Sequence, residues 1–179
     1  MVVLITGASH TGKTVLAQRL LERYHMPYLS MDHLKMGLIR SGRTKLTPMD
    51  SQEELTELVW PIVREMVKTA IENGQDLTVE GCYIPEGWKD GFGPSCLAQI
   101  RYVCLVMSRG YIERYFEDIL AHANTVEHRL DDSGLSMEEL IEDNGSFLRA
   151  CIRNGDKYIL IDDRYDIRLE DVVGRKEAF

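Results

Sequence analysis

The chain has 179 residues, of which 44% are hydrophobic and 28% charged, and a formal net charge of −8. This length fits one domain, and the composition is that of an ordinary globular protein. The acidic net charge argues against nonspecific binding to nucleic acid, because no basic excess exists to displace counterions. Its apolar runs are far shorter than the roughly 20 residues that cross a bilayer. We therefore expect one domain over residues 1–179 that binds neither nucleic acid nor membrane.

The four cysteines, Cys82, Cys96, Cys104 and Cys151, form no CxxC pair and have no histidine at zinc-finger spacing. We expect reduced thiols that are buried or half-buried. The apolar residues at the start of the chain follow no basic segment and precede no cleavage site, so they do not resemble a signal peptide. Together these observations predict a cytoplasmic protein.

Short apolar runs alternate with amphipathic segments along the chain, which predicts a parallel sheet with helices on both faces. The predicted strands are residues 2–6, 28–30, 77–80, 102–107 and 158–161. The predicted helices are residues 13–24, 32–41, 51–73, 111–123 and 136–152. This order is typical of an α/β fold with a doubly wound five-stranded parallel sheet.

The segment 51–73 carries the strongest helical signal, because its apolar residues recur at spacings of three and four. Ser51 and Glu54 fit a capping box at its start, and Gly74 fits its end. Pro61 is expected to kink this helix or split it in two.

A second capping box is predicted at Ser136 and Glu139, at the start of a later helix. The polar stretch before that helix, residues 124–136, is the candidate for a short lid.

The loop Gly7-Ala8-Ser9-His10-Thr11-Gly12-Lys13-Thr14 matches the Walker A pattern G-x-x-x-x-G-K-[ST]. It stands between a predicted buried strand and a predicted helix, as that pattern requires. The two glycines let the backbone curl so that N–H groups, including those of Ser9, His10 and Thr11, face phosphate oxygens. The N-terminus of the helix adds partial positive charge.

Lys13 is predicted to neutralise charge on the β- and γ-phosphates, and the Thr14 hydroxyl to ligate magnesium. The sequence therefore predicts a site for ATP and Mg²⁺. The alternative is a tight strand–helix turn that holds no ligand.

Two acidic residues lie at or just after the ends of predicted strands, at the edge of the sheet where the Walker loop lies. Asp32 comes just after the second strand, where it could accept a proton from an attacking hydroxyl or hold magnesium through water; alternatively it caps a helix. Glu80 ends the third strand in the manner of a Walker B acid that holds a water of the magnesium shell. Its alternative is a solvated charge at a strand end.

Basic side chains could clamp phosphates, although in an acidic protein each is more often a surface charge. The candidates are Lys35, Arg40, Arg43, Arg114, Arg129, Arg149 and Arg153. The five histidines show no spacing typical of a metal site.

With these residues in place, the chain resembles the P-loop small-molecule kinases, the group that includes adenylate and shikimate kinases. Asp32-His33-Leu34-Lys35 is similar to the D-x-L-R segment of adenylate kinases, with lysine in place of arginine. Glu80-Gly81 is similar to their D-G. Arg129-Leu130-Asp131-Asp132 resembles the lid motif R-x-D-D, whose arginine clamps phosphates during transfer. The resemblance implies a P-loop NTPase fold with a short helical lid, and a role for Arg129 in nucleotide binding and catalysis.

The chain also departs from adenylate kinases, which carry a proline and an arginine soon after D-G. Here Cys82-Tyr83-Ile84-Pro85-Glu86 has a later proline followed by an acid, and Arg149 is the nearest candidate for a second lid arginine. The position of Asp32 also suits sugar-acid kinases, in which the acid contacts an acceptor hydroxyl. The candidate acceptor region is 32–73, with residues 83–88 lining the pocket.

The first functional hypothesis is an ATP-dependent kinase that phosphorylates a small molecule, such as a nucleotide or sugar acid. Its catalytic residues are Lys13, Asp32 and Arg129, and its metal-binding residues are Thr14 and Glu80. The second hypothesis is a nucleotide-sensing module that hydrolyses ATP slowly. A polynucleotide-end kinase is the third, and the net charge disfavours it.

Overall fold

Five parallel strands form one sheet in the order β2-β3-β1-β4-β5 in a computed structural model that describes residues 1–122 and 135–174. The strands are β1 (Val2–Gly7), β2 (Tyr28–Ser30), β3 (Leu77–Glu80), β4 (Ile100–Met107) and β5 (Tyr158–Ile161). The helices are α1 (Lys13–Tyr24), α2 (Met31–Arg40), α3 (Gln52–Glu72), α4 (Pro94–Leu97), α5 (Arg109–His122), α6 (Met137–Asn154) and α7 (Leu169–Val173). The predicted five-stranded parallel α/β sheet is confirmed.

The central strand β1 is buried along its whole length, between β3 and β4. Alternate residues of a strand point to opposite faces, so β1 contributes to two separate cores. Leu4 packs in the core under α3, and Ile5 packs in the core under α1. The sheet is therefore covered on both faces, as the doubly wound prediction requires.

Both predicted capping boxes are present. The Glu54 N–H donates to Ser51 Oγ at the start of α3, and the Glu139 N–H donates to Ser136 Oγ at the start of α6, each at 3.2 Å. In each box the glutamate also accepts a hydrogen bond from the backbone N–H of the serine, which completes the motif.

The predicted split of the third helix at Pro61 is wrong, because α3 runs unbroken through it. Pro61 is exposed, whereas Val59, Trp60 and Val63 around it are buried. The backbone group that loses its partner at a proline can therefore be hydrated, while burial of the apolar face holds the helix together.

Other differences from the predicted elements are small. β4 and α5 each begin two residues earlier than expected, at Ile100 and Arg109. The short helices α4 and α7 were not predicted, because four or five residues are too few to show helical periodicity. Ser136 lies at the N-cap of α6, whereas the rest of the lid candidate, except Leu135, lies outside the described residues.

The four cysteines are free thiols, as expected. Cys104 and Cys151 are buried, and Cys82 and Cys96 are half-buried. Within the described ranges, no helix has both the length and the hydropathy needed to cross a membrane.

Candidate active site

The loop from Gly7 to Thr14 leaves the end of β1 and leads into α1. Gly7 has φ +137°, and a Cβ there would lie 2.2 Å from the carbonyl oxygen of Leu105 on the neighbouring strand. His10 and Gly12 also have positive φ values, of 63° and 79°. Positive φ is unfavourable for residues other than glycine, so this backbone is held in a curl that most sequences avoid.

Lys13 begins α1 and is buried, with 7% of its surface exposed. Its Nζ donates to the Ala8 carbonyl at 2.7 Å, and Thr11 Oγ1 donates to the same carbonyl at 2.9 Å. These two hydrogen bonds connect the end of the loop to its beginning and so stabilise its curled backbone. A buried ammonium group that faces a neutral carbonyl favours a nearby anion, because burying a charge is costly unless it is matched.

The loop backbone also fits an anion. Among the described residues, the N–H groups of Ser9, Thr11 and Gly12 donate to no backbone carbonyl. Together with the N-terminus of α1, they form the kind of cradle in which phosphate oxygens are bound. Thr14 lies half-buried in the first turn of α1, where its hydroxyl could join a metal ion held by the same phosphates.

Tyr165, which follows β5, contacts this loop and was missed by the sequence prediction. Its hydroxyl lies 3.4 Å from the carbonyl oxygens of Thr11 and Gly12, and a Cβ on Gly12 would come within 2.1 Å of it. Partial burial raises the pKa of Tyr165 to about 12, so the phenol remains a donor at neutral pH. No local motif could reveal a contact across 153 residues; the only available signal was that it follows the last strand.

Glu80 is the last residue of β3 and is 2% exposed. It pairs in register with Ile5, and the Gly81 N–H donates to the Ile5 carbonyl at 3.1 Å, so Glu80 lies beside the start of the loop. Its predicted alternative, a solvated strand-end charge, does not fit this burial. A buried carboxylate is suited to hold a hydrated cation.

Within the part of the chain that the structure describes, no cluster of three or more His, Cys, Asp and Glu side chains could hold a metal ion. A magnesium site at this loop would be completed by water and phosphate oxygens, as is usual for this ion, with Thr14 and Glu80 as the protein side chains that could hold it.

Asp32 lies in the first turn of α2, just beyond the end of β2. The N-cap of this helix is Ser30, so the helix-cap interpretation of Asp32 is wrong. Asp32 Oδ1 instead accepts a hydrogen bond from Lys35 Nζ at 2.6 Å, and 33% of the Asp32 side chain is exposed. Its carboxylate therefore remains open to a ligand while one oxygen is held.

Lys35 and Tyr83 connect α2 to the segment after β3. Lys35 Nζ donates to the Tyr83 hydroxyl at 2.8 Å, and Gln52 at the start of α3 donates to the Cys82 carbonyl at 3.1 Å. Burial raises the pKa of the Cys82 thiol, whose charged neighbours are Lys13, Asp32 and Lys35. Glu80 pairs in register with Ile5 on β1 and with Ser30 on β2, so the loop after β1 and Asp32 after β2 lie at the same edge of the sheet.

The other basic side chains predicted as possible phosphate clamps are on exposed surfaces or lie outside the described residues. Arg149 pairs with Glu142, and Arg153 pairs with Glu86, on exposed surfaces. Arg114 is exposed and 3.9 Å from Asp163, and Arg40 and Arg43 are exposed. Arg129 and its R-x-D-D motif lie outside the described residues.

Within segment 83–88, only the first residue has a described contact with Lys35 or Asp32. Tyr83 contacts Lys35, but Trp88 stacks on Tyr102 with ring centres 5.1 Å apart and donates to Asp156 at 3.3 Å. Both ends of the segment belong to the core under α3, since Tyr83 and Trp88 are both buried there.

Similarity to solved structures supports this geometry at the level of fold. A sugar kinase from Janibacter sp. HTCC2649 matches with a TM-score of 0.53 and 15% identity, over 90% of this chain and 84% of that one. A Chloroflexus aurantiacus protein described only provisionally as a kinase matches with a TM-score of 0.53 and 17% identity, over 94% and 92% of the two chains. Shikimate kinase from Aquifex aeolicus matches with a TM-score of 0.50 and 13% identity, over 97% and 91%.

No family model and no curated protein sequence matches the chain. At identities this low, the likeness shows the fold alone. The chain has the fold of P-loop small-molecule kinases, as the resemblance implied, whereas the implied lid lies outside the described residues.

Proposed function

We propose that the chain is an ATP-dependent kinase that transfers the γ-phosphoryl group to a small-molecule acceptor, such as a nucleotide or a sugar acid. The main support is one juxtaposition. Through Glu80, the end of β1 that leads to buried Lys13 is in register with the end of β2 that leads to the partly exposed Asp32, so cation and acid lie at the same edge of the sheet. Phosphoryl transfer needs this combination, because the cation stabilises the transferred group and the acid meets the acceptor.

In this proposal the loop residues Gly7, Ser9, His10, Thr11, Gly12 and Thr14 bind the triphosphate with Lys13. Asp32 orients or deprotonates the acceptor hydroxyl, whose oxygen forms a bond to the γ-phosphorus as the bond to the leaving ADP oxygen breaks. Lys13 and Arg129 stabilise charge on the group in transfer. Catalysis then consists of positioning and charge stabilisation.

Magnesium, when bound, would neutralise charge on the β- and γ-phosphates. Thr14 and Glu80 would hold it, Glu80 through water. We expect Glu80→Gln to raise the magnesium concentration that gives half-maximal turnover by roughly tenfold, because an amide carries no charge to attract the ion. Glu65→Gln, on the exposed face of α3, is the control. An unchanged magnesium dependence would remove Glu80 from the proposed metal site.

The deciding experiment measures ATP consumption in the presence of nucleoside monophosphates, sugar acids, phosphoglycerates and aminoglycosides, each tested singly against water. The proposal expects at least one compound class to raise turnover well above the rate with water, with phosphorylated acceptor as product. If ATP binds but nothing exceeds water, the kinase proposal fails. That result would favour the nucleotide-sensing module with slow ATPase activity.

A further inference from the structure

A buried lysine stands between the acceptor-side acid and the segment that follows β3. Lys35 is 8% exposed, and its Nζ donates to Asp32 and to the Tyr83 hydroxyl. The same nitrogen lies 5.0 Å from the centre of the Tyr83 ring, within reach of a cation–π interaction. Because an ammonium group is costly to bury, these partners indicate a site built around Lys35.

An exposed ion pair on α3 provides a comparison for the pair between Asp32 and Lys35. Lys68 and Glu65 have the same i,i+3 spacing on α3, with Nζ and Oε1 3.0 Å apart. The Glu65 side chain is 58% exposed, and Lys68 contacts no aromatic hydroxyl among the described residues. Exposed pairs of this kind contribute little to stability. The burial of Lys35 and its hydrogen bond to a tyrosine hydroxyl therefore distinguish the pair on α2.

We propose that Lys35 is a positioning residue: anchored by Tyr83, it fixes one carboxylate oxygen of Asp32 and leaves the other to accept the proton of the acceptor hydroxyl. This inference rests on the proposed function of Asp32. The proton moves from the hydroxyl to Asp32 Oδ2 as the new oxygen–phosphorus bond forms and ADP leaves. Lys35 touches neither substrate and acts through Asp32.

The proposal differs from what the resemblance to adenylate kinases implies for this position. There, arginine stands at the end of D-x-L-R on the substrate side. Here the charge of Lys35 is already matched by Asp32, at 2.6 Å, and another of its donors is taken by Tyr83. A lysine held in this way supports the carboxylate and is poorly suited to clamp an acceptor phosphate, which Asp32 beside it would repel.

The test compares Lys35→Met, Asp32→Asn, the double variant and the matched control Lys68→Met. Phosphoryl transfer is measured to the best acceptor from the panel, and separately to water. We expect Lys35→Met to lower kcat at least about tenfold with little change in the KM for ATP, as loss of general-base positioning requires. The double variant should be no slower than Asp32→Asn alone, since one effect acts through the other. Lys68→Met should stay within about twofold of wild type.

Tyr83→Phe keeps the proposal testable if Lys35→Met does not fold. It removes a single hydroxyl and leaves the ring, and we expect kcat to fall about fivefold, because Lys35 loses the hydrogen bond that anchors it. Wild-type kcat in a folded Tyr83→Phe protein would overturn the anchoring role of Tyr83.

The two proposals fail in different ways. If Asp32→Asn transfers as fast as wild type, the proposed function of Asp32 fails. If Asp32→Asn is impaired but Lys35→Met is not, only the positioning proposal fails. A readout without an acceptor is the ¹H–¹⁵N signal of the Lys35 ammonium group, which should exchange slowly in wild type and be lost in Asp32→Asn. A fast-exchanging wild-type signal would also overturn the proposal.

Discussion

The two sides of the crevice are built in opposite ways. On the proposed nucleotide side, the loop is braced from within, since Lys13 and Thr11 both donate to Ala8, although Tyr165 also reaches it from after β5. On the acceptor side, Lys35 reaches Tyr83 across 48 residues, and Gln52 reaches Cys82 across 30. A locally closed site can be recognised from a short motif, whereas a site closed by distant segments emerges only from the fold.

The largest expected effect lies on the nucleotide side. Lys13→Ala should abolish turnover and ATP binding, because it removes the buried positive charge that the phosphates require. Thermal denaturation should stay within about 6 °C of wild type, since Lys13 is bonded only to a neutral carbonyl among the described residues. Lys45→Ala is the control with an exposed lysine. A larger loss of stability with ATP binding retained would make Lys13 a structural residue.

On the acceptor side, Asp32→Asn should spare ATP binding and slow transfer by roughly 10² to 10⁴-fold, the usual contribution of a general base. Binding calorimetry with ATP and a steady-state assay with the best acceptor separate the two effects. Asp90→Asn, an exposed change, should alter neither. Transfer within a few-fold of wild type would show that the acceptor side needs no base at this position.

Gly12→Ala tests whether the nucleotide side depends on backbone curl. It places a Cβ within 2.1 Å of the Tyr165 hydroxyl at φ +79°, so we expect weaker ATP binding and a lower melting temperature. Adding Tyr165→Ala should recover part of the lost stability, because the clash is removed, but not the affinity, because the backbone strain remains. A double variant no more stable than Gly12→Ala would contradict this contact.

The smallest expected effect is the pH response of Cys82, which lies between the two sides. Burial raises its thiol pKa above the ordinary value of about 9, so folding favours the protonated form. This contribution is fully present below pH 9 and is lost as the pH rises above it. Wild type should therefore lose slightly more unfolding free energy between neutral and strongly alkaline pH than Cys82→Ala, in denaturant titrations with Cys96→Ala as control. Parallel pH profiles would contradict the effect.

The contrast between local and long-range contacts also explains how much of the fold could be predicted from the sequence. Strands such as residues 77–80 and 158–161 are confirmed at their predicted bounds because each is a short segment in which half of the residues are β-branched. The two capping boxes were predictable because serine and glutamate lie three residues apart. The predicted split at Pro61 is wrong, because the exposure of Pro61 on α3 is a tertiary property.

In the candidate site, too, the local features could be predicted and the long-range contacts could not. The Walker loop could be identified as a unit, and Asp32 and Glu80 could be placed at strand ends. What each acid contacts could not be predicted, because the Asp32 partner is itself anchored by Tyr83. The Tyr165 contact was equally hidden, since it depends on the position of β5 in the sheet. The roles of the predicted site residues, including Arg129, stay predictions.

The aromatic cluster around Phe92 has a practical consequence. The only two tryptophans, Trp60 and Trp88, lie in the core under α3, each in edge contact with Phe92. The opposite core under α1, where the nucleotide loop begins its helix, contains neither. Intrinsic tryptophan fluorescence is therefore an optical reporter of the half of the molecule proposed to bind the acceptor, and it can distinguish rearrangement there from events at the proposed nucleotide loop without any attached dye.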